Sequence, residues 1–362
     1  MRRVLGFPVL AAATAWLGFG VISEGQGHAA AKPTAIVNDA SHRALPGPLA
    51  RLAGAGPWVN ASLSPDLRGK VVLVNFWTYS CINSLRPLPY LRAWAEKYRD
   101  DGLVVIGVHA PEFGFERDLG KVRNATAELG VNYPVVLDRD LTVWRAFGNQ
   151  GWPGFTFIDA TGRVRDYRLG EGDYAESERL IQQLLAEAKG ASVDKAITAV
   201  SGKGAQAAPD WAGLGSPETY IGYGQTRNFA SPEGLGRDMP RQYRAPATTP
   251  LNYWSLAGTW TAGREFAALG SSSGTIGYRF HARDLHLVLG AAPEGRPVRF
   301  RVTIDGAAPG ADHGADTDEQ GWGSVREDRL YQLVRQARPV TDRNFEIEFF
   351  APGVRAYAFT FG

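Results

Sequence analysis

A chain of 362 residues is long enough for two ordinary domains and a leader, and 44% apolar with 21% charged residues excludes a disordered or fibrous protein. A net charge of +2 argues neither for nor against any partner, and with no basic stripe nucleic acid is not expected as one. One cysteine excludes an internal disulfide; with six scattered histidines it gives no zinc pattern, so no metal and no cofactor is expected.

The chain opens with Arg2 and Arg3, an uncharged apolar run from Val4 to Ile22, and the small residues Ala29, Ala30 and Ala31. This is the layout of a signal peptide over residues 1–31, which predicts a periplasmic or secreted protein. The alternative is an uncleaved membrane anchor, against which stand Gly6, Pro8, Gly18 and Gly20 within the run. Residues 32–55, rich in Ala, Gly and Pro, are expected to be a flexible lead-in.

Residues 56–190 alternate strand and helix signals. Lys70 to Trp77 is a buried strand that ends in polar Thr78, Tyr79 and Ser80. Leu85, Leu88, Leu91, Ala95 and Tyr98 recur at helical spacing, so a helix starts near Cys81, with a kink expected at Pro89. A second strand covers Leu103–Val108, a helix covers 116–129, and a short extended run covers Tyr133–Leu137. Phe155–Asp159 and Val164–Arg168 read as a hairpin, and 174–188 as an amphipathic helix. The sum is a mixed α/β sheet. Residues 191–212 read as a linker. From 213 to 362 the period changes: Gly277–Ala282, Leu285–Leu289, Val298–Ile304 and Phe345–Phe350 alternate between turn clusters, the signature of an all-β sandwich.

The informative segment is Val74 to Ser84. A thiol just past a strand and at a helix N-terminus faces orphan N–H groups and the positive end of the helix dipole, which predicts a lowered pKa for Cys81. The thiolate is the nucleophile of disulfide exchange. Pro153, in Trp152-Pro153 just before the hairpin, is expected to be cis and to pass its backbone beside the sulfur, where a substrate strand can pair.

These residues resemble the thioredoxin superfamily, in particular its exported TlpA-like redoxins, and most of all the soluble C-terminal region of DipZ-type proteins. The resemblance covers residues 57–188 and, through Pro217–Gly222, Arg279–His286 and Arg329–Leu333, continues into a β-rich domain that looks like a carbohydrate-binding module. It implies that Cys81 is the attacking cysteine, Pro153 the cis-proline, and Trp77 the aromatic of the Phe-Trp pair. The family pattern is C-x-x-C; here it is Cys81-Ile-Asn-Ser84. Without a second sulfur the intramolecular two-electron cycle is impossible, although Ser84 can donate to the Cys81 thiolate. Asn75 stands where thioredoxin itself has a buried Asp. DipZ-type proteins also carry a membrane electron-transfer domain. A leader stands in its place here, so electrons would come from a membrane donor acting in trans.

Three readings of Cys81 are open: a monothiol that exchanges disulfides on extracytoplasmic thiol or disulfide proteins, a stable mixed disulfide or disulfide-linked dimer, and a degenerate redoxin kept as a protein- or glycan-binding module. His109, Glu112 and Glu116 follow the second strand and read as a solvated loop, with proton shuttling as the alternative. In the second domain Tyr223, Tyr253, Trp254, Trp260 and Trp322 are either core rings or a glycan platform. Asp316 to Glu327 has the spacing of a calcium loop, but Gln320 is atypical and no amphipathic helix precedes it, so a hairpin loop is preferred.

Overall fold

Alternation of buried strands with short helices builds the first domain. In the computed structural model, which describes residues 47–61, 65–190, 193–292, 295–337 and 339–362, its elements are α1 (Pro48–Ala53), β1 (Trp58–Val59), β2 (Val71–Trp77), α2 (Ile82–Leu85), α3 (Leu88–Lys97), β3 (Leu103–His109), α4 (Leu119–Glu128), β4 (Val135–Leu137), α5 (Thr142–Ala146), β5 (Gly154–Ile158), β6 (Val164–Leu169) and α6 (Tyr174–Lys189). The expected signal peptide lies outside the described residues. Strand order is β1-β4-β3-β2-β5-β6. β2 pairs in parallel with β3 and antiparallel with β5. All seven residues of β2 are buried, which is why its sequence reads as one apolar run.

Two local expectations change. The kink at Pro89 is a full break: α2 ends at Leu85, and α3 starts again with Pro89 in its first turn, where a missing N–H costs nothing. The lead-in is not flexible throughout, because α1 lies within it. Leu49 and Leu52 of α1 are 1% and 0% exposed and pack on Val72, Val74 and Phe76. Two leucines three apart on one helical face are enough to dock a short helix.

The expected linker is also anchored. Thr198 donates to Glu178 of α6 at 2.6 Å, Arg92 donates to Gln206 at 2.9 Å, and Arg283 of the second domain donates to the Ala208 carbonyl at 2.9 Å.

The second domain is the all-β sandwich. Its strands are β7 (Thr219–Tyr220), β8 (Pro240–Tyr243), β9 (Trp254–Ala262), β10 (Ala267–Phe280), β11 (Asp284–Gly290), β12 (Val298–Ile304), β13 (Trp322–Val325), β14 (Arg329–Arg335), β15 (Arg343–Phe349) and β16 (Arg355–Phe361). β10 serves both layers. Ala267 and Ala268 pair with β16, and Gly274–Phe280 pair with β15 after a register shift. One layer runs β13-β12-β15-β10 and the other β16-β11-β14. Phe300, Val302, Ile347 and Tyr278 from the first meet Leu285, Leu287, Leu333 and Phe359 from the second in one core. β12 alternates buried and exposed positions, whereas every residue of β11 is buried. A strand buried on both faces has something on its outer side, and that neighbour is the first domain.

Leu52→Ala should lower the stability of the first domain by about 2–5 kcal/mol, the usual cost of emptying a core leucine site, measured from the midpoint of urea unfolding. A shift of no more than about 0.5 kcal/mol, typical of surface sites, would show that α1 is not seated.

Candidate functional site

Three loops meet at one end of the first sheet. β2 leads into Thr78–Cys81, β3 ends at His109 opposite Trp77, and the Trp152–Pro153 peptide, which is cis as expected, precedes Gly154 opposite Phe76. Trp152 Nε1 donates to the Ala110 carbonyl at 2.9 Å and ties two of the loops together.

Cys81 is the N-cap of α2, and its carbonyl accepts from Ser84 N at 3.0 Å and Leu85 N at 3.2 Å. It is free and only 6% exposed. The expected low pKa does not hold: the thiol is pushed well above its ordinary value, first by burial, then by the carboxyls of Glu112 and Glu218. Ser84 acts as expected, since its backbone and side-chain hydrogen bonds lower the pKa, but they are outweighed. The reason is geometric. α2 has four residues, too few for a strong dipole, and the sulfur has lost its water. Glu218 is itself exposed, so solvent screens its charge, and burial decides.

The residue after Cys81 is covered by the second domain. Ile82 and Phe113 form one apolar cluster with Val288 of β11, Leu330 of β14 and Tyr357 and Ala358 of β16, all 5% exposed or less. Around it lie polar ties. Tyr220 donates to Glu112, Lys121 pairs with Asp328, and Gly114 N donates to Glu265 at 2.9 Å. Arg86, paired with Glu171 at 2.7 Å in a bridge whose side chains are both 3% exposed, also donates to the Phe361 carbonyl at 3.2 Å.

The loop after β3 is not solvated. His109 and Glu116 are both 0% exposed. The His109 ring stacks on Tyr79 at 5.4 Å and meets the edge of Trp77 at 5.4 Å, and burial holds its pKa down to about 3, so it is a neutral packing group at neutral pH. Glu116 accepts from Ser80 Oγ at 2.5 Å and from the Glu112 and Phe113 amides at 2.6 and 2.9 Å, which fixes the residue beside Cys81. Trp77 lies in the core, and its indole fills the space left by Gly107, where a Cβ would stand 2.8 Å from Nε1. Asn75 is buried and donates to the Gly154 carbonyl at 3.4 Å.

Sequence reasoning missed Arg86, Glu171, Tyr220 and the seam face of β11, β14 and β16. The one available signal was the uninterrupted uncharged run Ala356–Gly362. Of the five candidate aromatics, Trp254 and Trp260 are 0% exposed core rings. Trp322 is flanked by Phe350 at 5.3 Å and by the Arg299 guanidinium at 4.4 Å. In the calcium-like segment, Asp316 is bound by Arg329 at 2.7 Å and Gln332 N at 2.8 Å, and Asp318 caps the turn at Gln320 N and Trp322 N. Those carboxylates hold a hairpin loop, the arrangement the sequence favours.

The family comparisons agree with this geometry. The Redoxin family matches residues 47–183. The first domain is thus redoxin-like. A family described as Thioredoxin like C-terminal domain matches residues 216–362. The chain is 32% identical over 325 residues to Protein DipZ of Mycobacterium tuberculosis, a match covering 86% of this chain and 42% of DipZ. The chain thus spans less than half the length of that relative. It is 29% identical over 142 residues to the thiol-disulfide oxidoreductase YkuV of Bacillus subtilis, covering 39% of this chain and 95% of YkuV. It is 28% identical over 119 residues to the thiol-disulfide oxidoreductase ResA of Bacillus thuringiensis, covering 33% and 66%.

Alkylation of Cys81 by iodoacetamide should still accelerate above pH ~8.5, the usual thiol value, and Ser84→Ala should move the midpoint higher. A midpoint at or below the usual value would overturn this account of the thiol.

Proposed function

We propose that the protein is an extracytoplasmic monothiol redoxin that exchanges disulfides on thiol or disulfide proteins through Cys81. The observation that carries this reading is a lone thiol at the N-cap of α2, hydrogen-bonded by Ser84, in a redoxin domain whose Trp152–Pro153 peptide is cis. The export part rests on the leader sequence alone. Among the described residues no helix is long and apolar enough to cross a membrane.

The chemistry balances without a second cysteine. Cys81 loses its proton, and its thiolate attacks one sulfur of a substrate disulfide. A Cys81–substrate disulfide forms and a substrate thiolate leaves with the electron pair of the broken bond. A different thiolate of the same substrate then attacks the mixed disulfide and returns Cys81 to the thiolate. The net change is a shuffled disulfide with no oxidation or reduction, so isomerisation needs no electron donor. Net reduction would need an external thiol to release Cys81, with electrons from a donor in trans. Ser84, 1% exposed, keeps the sulfur hydrogen-bonded but cannot expel the partner.

The competing reading, a redoxin retained for binding, is favoured by the burial and raised pKa of Cys81. Its glycan form keeps only the partly exposed rings of Tyr223, Tyr253 and Trp322, since Trp254 and Trp260 are core.

The test is refolding of a scrambled-disulfide substrate in a glutathione buffer with wild type and Cys81→Ala. Turnover that vanishes in the variant supports the monothiol; equal rates leave the binding module. Ser84→Cys should add disulfide reductase activity in the presence of a dithiol donor, measured as turbidity of reduced insulin. No gain, with the new pair shown to oxidise, would mean that more than the resolving sulfur has been lost.

A further inference from the structure

The face around Cys81 is the one a redoxin substrate must reach, and in this chain it is already occupied. We propose that the β16-β11-β14 layer is a resident cover on the redoxin's substrate face, and that Cys81 reacts only from a conformer in which this layer has lifted. The inference rests on the monothiol reading for its purpose, but not for its test.

Four observations carry it. Ile82, the residue after the nucleophile, sits 2% exposed in a cluster with Val288, Leu330, Tyr357 and Ala358 of the second domain, so the start of α2 cannot meet another protein while the layer is down. Phe113, from the loop after β3, packs at 5.0 Å on Tyr357, while Phe115 meets the same ring at 4.9 Å. Thus two of the three loops at the site are held. The rim is tied by contacts that water can replace, Tyr220 to Glu112, Lys121 to Asp328 and Gly114 N to Glu265, and by a buried one that must also part, Arg86 to the Phe361 carbonyl at 3.2 Å. Lys121 is 44% exposed, so that pair contributes little. Beside Glu112 and Tyr220 the seam holds a void of about 120 Å³ that reaches Arg264 and Glu265, so the polar rim is incompletely filled. An apolar centre with a polar, incompletely filled rim is the construction of an interface that can part, not of a single core.

The two layers of the sandwich support the same conclusion. Val288 and Leu330 face the redoxin, whereas Leu287, Leu289, Tyr331 and Leu333 face the sandwich core. Lifting the layer therefore exposes the seam cluster without opening the core of either domain. The chain stays joined through the strap at 193–212, which is held to α6 by Thr198 and to Arg92 by Gln206, and whose Ala205 packs against the edge of the seam cluster.

A covered thiol reacts at its intrinsic rate multiplied by the open fraction. With the usual minor-state population of about 0.1–10%, Cys81 in the native full chain should react roughly 10- to 1000-fold slower than in denaturant. The experiment labels Cys81 at one pH with N-ethylmaleimide and with a bulky PEG-maleimide, in wild type, Leu330→Glu and Lys121→Glu. Leu330→Glu puts a charge into the seam but not into the sandwich core, and should speed both probes about tenfold or more. Lys121→Glu faces Asp328 with a like charge at an exposed site, and should speed both by a smaller factor. Circular dichroism checks that each variant is folded; should Leu330→Glu fail that check, the wild-type rate against the denatured rate decides. Wild-type labelling as fast as in denaturant would overturn the cover, as would a folded Leu330→Glu whose PEG-maleimide rate equals that of wild type. Labelling reads access, not turnover, so a chain that never catalyses exchange still answers the question.

Discussion

The contact between Ile82 and Phe113 on one side and Val288, Leu330 and Tyr357 on the other governs the rest of the molecule. Each large apolar side chain removed from water contributes about 1.5–3 kcal/mol, so the seam is strong enough to dock two domains that also have cores of their own. It fixes β11 as a strand buried on both faces and places Arg86 against the Phe361 carbonyl. It also decides the chemistry, because the residue it buries most consequentially is the neighbour of the only cysteine.

Two effects compete at Cys81, and the structure shows which wins. Helix N-terminal N–H groups and Ser84 favour the thiolate; loss of water and the Glu112 carboxyl favour the thiol. A dipole effect at a helix end is typically worth about 0.3–1 kcal/mol, and α2, with one turn, sits at the low end of that range. Taking a charge fully out of water costs up to about 4–7 kcal/mol. Burial therefore dominates. The same reasoning ties the raised pKa to the burial of the sulfur. Once water reaches the sulfur, the cost of desolvation disappears, and the weaker pull of the helix end and Ser84 toward the thiolate remains.

How much of this can be read from the sequence follows from how local each feature is. β2, the cis-proline position, the hairpin and α6 are set by short runs and are legible. So is the sandwich, because β12 and β15 alternate at period two. The break between α2 and α3 is half legible, since Pro89 signals a kink while Pro87 completes the break. α1 is hidden because its two leucines stand in an Ala/Gly/Pro-rich stretch. The docked seam is not legible at all. Val288 and Leu330 look like ordinary strand residues, and only partners far away in the chain, Ile82 and Phe113, make them a second buried face. The thiol pKa escapes sequence reasoning for the same reason: the helix end is local, but the burial is not.

The missing resolving cysteine and the covered nucleophile bear on each other. In a two-cysteine site the second sulfur limits the life of any mixed disulfide, so an exposed nucleophile does little harm. Cys81 has no such release, and each mixed disulfide it forms by attacking an unintended disulfide would persist until an external thiol arrived. A lone exposed thiolate outside the cytoplasm, where disulfides are stable, would accumulate such adducts. A nucleophile held protonated under an apolar layer avoids them, at the expense of rate, because only the open fraction reacts. On the proposed reading the second domain acts at the redoxin site. It supplies Tyr220, Leu330 and Tyr357 to the surroundings of the redoxin site, and the selectivity lost with the second sulfur is recovered through its docking.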